Sequence, residues 1–100
     1  MVTILGCMEL LYQELGLDID RQAMVKLFGP TWSREDICAF MEGYGYVRAQ
    51  GEPQTGDIVF VANHPGIVRG DVVENIHHGR RTFMPLRRLR HKIDLVLRCL

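Results

Sequence analysis

The sequence predicts an α+β fold in which N-terminal helices pack on a C-terminal antiparallel β-sheet. Three observations carry that prediction. Apolar residues recur at helical spacing as far as Gly43; from Tyr46 onward they come in short runs punctuated by Gly, Pro, Asn and Asp; and 100 residues suffice for one core. The chain, 1–100, therefore reads as a single domain.

The first helix is drawn by Ile4, Met8, Leu11 and Leu15, with Gly16 as its stop. A second starts after Asp18 or Asp20, either of which can cap it, and carries Ala23, Met24 and Leu27 to a halt at Gly29-Pro30. Ser33-Arg34-Glu35-Asp36 has the form of a capping box for a third helix, which runs through Ile37, Phe40 and Met41 and ends near Gly43. Strands are then expected near Tyr46 to Ala49, Asp57 to Val61, Gly66 to Arg69, Val72 to His77, Arg81 to Met84 and Ile93 to Arg98. The chain shows neither an internal repeat nor a low-complexity segment.

Composition excludes some classes of function. With 47% hydrophobic and 24% charged residues, disorder is not expected. Apolar runs all fall short of the roughly 18 residues that cross a bilayer, and the N-terminus lacks the pattern of an export signal. Net charge is zero but polarised: residues 1–78 carry 5 basic and 11 acidic side chains, residues 79–100 carry 7 basic and 1 acidic. Three cysteines, Cys7, Cys38 and Cys99, leave at least one thiol unpaired and have no CxxC spacing, which argues against a disulfide scaffold.

One group of motifs carries chemistry. Gly56-Asp57-Ile58-Val59-Phe60 and His64-Pro65-Gly66-Ile67-Val68 read as two strands about a tight turn, followed by Asn75-Ile76-His77 and Met84-Pro85-Leu86. In this order they resemble the NlpC/P60 cysteine peptidases, particularly those associated with phage tails, and the likeness spans nearly the whole chain if Cys7 is the nucleophile. The resemblance implies a papain-like fold and a catalytic set of Cys7 as nucleophile, His64 as general base and His77 as orienting group. It also implies a peptide or peptidoglycan-like substrate, cleaved at an amide through an acyl-thioester, with no cofactor and no metal. Gly6-Cys7-Met8-Glu9-Leu10 stands where family members carry Asp-Cys-small-Gly-Leu, and Pro65 replaces a β-branched residue.

These residue types suit that chemistry. A thiol near its ordinary pKa is mostly protonated at neutral pH; an imidazole takes the proton, and a helix N-terminus stabilises the thiolate. Gly6 would let the backbone turn so that Cys7 sits in the first helical turn with its N–H aimed at an oxyanion. His77 would hold one ring nitrogen of His64 so that the other faces sulfur. Val73 and His77 share a strand face in even steps, whereas His78 points the other way. The rival reading keeps the NlpC/P60-like fold as a structural or assembly module without turnover, with a phage-tail component or a second copy as partner. With no export signal and no membrane-crossing run in the sequence, residence in the cytoplasm or a virion is the expectation.

Blander readings stand beside these. Cys7 shares a helical face with Ile4 and Leu11 and so reads equally as a small buried hydrophobe. His64 reads also as a polar turn residue, as does Asn63. Zinc ligation by Cys7, His64 and His77 lacks any short paired-ligand spacing. The basic tail, Arg80, Arg81, Arg87, Arg88, Arg90, His91 and Lys92, invites a nucleic-acid reading, but Phe83 is its one interleaved aromatic, and a solvated basic edge is the simpler account. Trp32, Tyr44 and Tyr46 flank the third helix and read as core and rim packing before they read as a substrate groove.

Overall fold

A computed structural model describes residues 3–17, 33–77 and 80–100, and within these not the side chains of residues 3–8 and 77. The helix expected between Asp18 and Pro30, Trp32 and His78 lie outside the described residues.

Helix α1, Thr3–Leu15, ends where the sequence placed its stop. Gly16 takes φ +72°, and the N–H groups of Gly16 and Leu17 donate to the carbonyls of Gln13 and Tyr12 at 3.1 and 2.9 Å. That left-handed closure satisfies carbonyls the helix itself leaves open. Helix α2, Arg34–Glu42, begins with the expected capping box: Ser33 Oγ accepts from the Asp36 N–H, and the Ser33 N–H donates to Asp36 Oδ2, each at 3.1 Å.

Six strands follow: β1 Tyr46–Arg48, β2 Ile58–Val61, β3 His64–Arg69, β4 Val72–His77, β5 Arg80–Pro85 and β6 Ile93–Cys99. All neighbours are antiparallel in the order β1-β6-β2-β3-β4-β5, so β1 and β5 are the edges. The expected strands are thus present, with β3 starting at His64 rather than Gly66. A short helix not anticipated from the sequence, α3 at Leu86–Leu89, and a 3-10 turn at Arg90–Lys92 connect β5 to β6. The coarse α+β architecture of helices on an antiparallel sheet holds.

Strand alternation divides the side chains between two faces. Ile58, Phe60, Ile67, Ile76 and Leu97 face the helices and pack with Leu10 and Leu11 of α1 and Ile37, Cys38 and Met41 of α2. Val59, Val68, Val73 and Val96 face the other way and gather under Leu86 of α3, with Leu89 and Ile93 at the margin. The helical face is the larger core, and Phe60 at its centre is fully buried.

Two buried carboxylates tie the sheet together. Asp57, 2% exposed, accepts the Gln54 N–H at 2.7 Å and hydrogen bonds from Arg98 Nε and Nη2 at 3.0 and 2.8 Å. Glu74, 3% exposed, accepts from Arg69 Nε at 3.0 Å and Arg81 Nη1 at 2.7 Å. Arg69 extends the network to Glu14 of α1 at 2.8 Å. Hydrogen bonds to Glu14, then Glu74, raise the Arg69 pKa further against the opposing effect of burial. Charge pairing therefore joins α1 to the sheet where apolar contact alone would leave register less defined.

Candidate functional site

The Gly56-Asp57 motif turns out to be structural. Gly56 sits at φ +92°, its N–H donating to the Val68 carbonyl at 2.8 Å, and the Val68 N–H donates to the Asp57 carbonyl at 2.9 Å. With the Arg98 pairing, this dipeptide fastens the start of β2 to β3 and β6. Its buried carboxylate is occupied by the fold.

The tight turn before His64 is also present. Val61 pairs with His64 across the two-residue connection Ala62-Asn63, which gives Asn63 its turn role. Ala62 carries φ +56°, the one positive-φ non-glycine among the described residues. Arg34 of α2 donates to the Ala62 carbonyl at 3.4 Å, pairs with Asp94 at 2.9 Å, and places its guanidinium 5.8 Å from the Phe60 ring centroid.

Cys7 is the fifth residue of α1, in its second turn. This corrects the first-turn placement that the oxyanion argument requires, because a backbone N–H at that depth joins the helical ladder. Side chains at Cys7 and at His77 lie outside the described residues.

Backbone placement still separates two questions: which end of the sheet, and which face. Glu14 meets Arg69 at the far end of β3, so the seven residues back to Cys7 carry the helix about 10 Å away from that contact. β3 starts at His64, β4 ends at His77, and β5 starts at Arg80, all at one end of the meander. The face is the other matter. α1 packs against the side of β3 and β4 that bears Ile67 and Ile76. His64 is exposed and belongs, with Val59 and Val61, to the opposite side, where it lines a cavity of about 370 Å³. Even steps from Val73 and Asn75 put position 77 on that same opposite side. The sheet thus brings His64 and position 77 to one face, while the helix bearing Cys7 covers the other.

The cavity is a groove over the middle of β2 to β5. Its apolar walls are Val59, Val61 and Val73, with Met84 of β5 and Leu89 of α3; Asn75 and Thr82 supply polar atoms. Gly66 forms its floor. A Cβ there would lie 2.6 Å from Val73 Cγ1 and 3.1 Å from the Glu74 carbonyl, so the position requires glycine for space. Among the described residues, no acidic side chain lines the groove.

The other thiols do not enter this site. Cys38 is buried, and desolvation pushes its pKa up. Cys99 is exposed at the end of β6. Among the described residues there is no His, Cys, Asp and Glu cluster fit to hold a metal ion, and no helix long and apolar enough to cross a membrane. Of the aromatics weighed in the sequence, Tyr46 is buried in the helical core, whereas Tyr44 stands at its rim beside Phe40, with ring centroids 5.3 Å apart.

No protein-family model, curated protein or solved structure matches this chain.

Proposed function

We propose that the chain is an NlpC/P60-like binding or assembly module rather than a thiol hydrolase. One observation carries the reading: His64 lines an apolar groove on the sheet face turned away from α1, the helix that holds Cys7. A Cys-His relay needs the imidazole within hydrogen-bond reach of sulfur, whereas a binding groove needs a concave apolar surface with a few polar atoms. The second description fits the surroundings of His64. Phage-tail assembly, or association with a second copy, is the context that the family resemblance suggests.

A hydrolase acting on peptide amides through Cys7, His64 and His77 is the second reading, favoured by the shared end of the sheet at which His64 and His77 lie. Alkylation separates the two. In a Cys99→Ser background, which removes the exposed thiol, iodoacetamide should label Cys7 at the rate of a model thiol from pH 5 to 9, with or without His64→Ala. Rapid labelling near pH 6 that vanishes in His64→Ala would overturn the module reading in favour of the hydrolase.

A further inference from the structure

Strand β5 ends the sheet, and among the described residues no strand lies against its outer side. One hydrogen bond tells which of its residues turn their backbone outward. The Leu86 N–H donates to the Asp71 carbonyl at 2.8 Å, just beyond the pairing of Val72 with Pro85, so that pair exchanges no hydrogen bonds of its own and its neighbour, Val73 with Met84, does. By alternation, Met84 and Thr82 turn N–H and C=O toward β4, whereas Arg81 and Phe83 turn theirs to the open edge. Edges are commonly blunted by charge, a bulge or proline. Here the register with β4 has no bulge, the Arg81 guanidinium is held by Glu74 at 2.7 Å and by Gln13, and the one proline stands at the strand's end. Phe83 and Met84 are meanwhile 58% and 49% exposed, on opposite faces of the strand.

We propose that β5 pairs antiparallel with β5 of a second copy about a twofold axis at Thr82, joining two sheets into one. Chemistry selects this register. An axis at Arg81 sets like charges directly opposite, and an axis at Phe83 asks Pro85 for an N–H that it lacks. An axis at Thr82 avoids both. Arg81 then exchanges hydrogen bonds with Phe83 of the second copy, and Phe83 with its Arg81, so every outward N–H and C=O of these residues finds a partner. Each exposed Phe83 ring gains an arginine beside it, and each Met84 gains the stem of Arg80. Like faces meet, as a twofold axis normal to the sheet requires. Because Thr82 and Met84 also line the groove, pairing sets two grooves side by side across the seam. The inference rests on the assembly-module reading and names its partner.

The test is sedimentation equilibrium of the full chain from about 1 μM to about 1 mM, joined to a crosslink that reads the register. A reversible dimer is expected, since a strand edge is a small contact. Phe83→Pro should abolish it with an unchanged circular dichroism spectrum, because the N–H it removes faces outward and the ladder with β4 is spared. Phe83→Lys keeps that N–H but sets like charges opposite twice, and should weaken association about tenfold. In a Cys7→Ser, Cys99→Ser background, Thr82→Cys should form an intermolecular disulfide under copper phenanthroline, since the pairing brings its two Cα atoms to about 4.5 Å. Met84→Cys, whose two copies would stand about 13 Å apart along the strands, should not. A chain still monomeric at about 1 mM overturns the inference and leaves the edge to a strand from a different protein, without touching the alkylation result on which the module reading stands. A dimer unaffected by Phe83→Lys, or equal crosslinking through Thr82→Cys and Met84→Cys, also overturns it.

Discussion

The two faces of this sheet are built from the same strands and finished differently. On one, α1 and α2 cover Ile58, Phe60, Ile67 and Leu97 completely, and Glu74 is clamped by two arginines. On the other, α3 contributes a single turn, Leu86 is buried, and Met84 remains half exposed beside an open groove. The contrast shows how a small domain can assign most of its stability to one side and leave the other with an open concave surface.

The sharpest way to break this contrast is Phe60→Ala. Removing the fully buried ring should cost about 3–5 kcal/mol, read as a lowered midpoint in urea. Next is Gly66→Ala, where the new methyl meets Val73 and should cost about 1–3 kcal/mol while filling the groove floor. Ala62→Gly should move the other way, gaining about 0.5–1 kcal/mol by relieving the left-handed turn at the cost of some chain entropy. A shallower effect is expected in alkali. Burial raises the pKa of both Cys38 and Tyr46, so the unfolded chain releases those protons first, and stability should fall as pH rises above their ordinary values of 9.0 and 10.0. Thermal melts at pH 8 and pH 10.5 would check the sign. The smallest change is Met84→Ala: on the open face it should alter stability by less than about 0.5 kcal/mol, and a loss as large as that of Phe60→Ala would erase the distinction between the faces.

Much of this fold was legible because its signals are local. Ser33 and Asp36 announce α2 three residues apart, Gly16 closes α1, and each strand sits between turn residues. Helix α3 was not, because a four-residue turn after Pro85 is too short to display a period. The clamp on Asp57 and the link from Arg69 to Glu14 were hidden for another reason. Arg98 lies 41 residues from Asp57, and Glu14 lies 55 residues from Arg69, so only the sheet order brings these partners together. The candidate site falls between these cases. Even spacing correctly grouped Val73 with position 77, but it could not say which face the helices would take. On β3 both Pro65 with Ile67 and Gly66 with Val68 are buried, so hydrophobicity there does not separate the two sides. The first-turn placement of Cys7 failed because the glycine before it does not interrupt α1.

Arg34 reaches from α2 to the Ala62 carbonyl, to Asp94 of β6 and over the Phe60 ring. One side chain thus couples the release of a helix to the opening of the hairpin that launches His64. In native-state hydrogen exchange, the amides of α2 and of the β2–β3 connection should report a common opening energy, and Arg34→Ala should split them into two cooperative units.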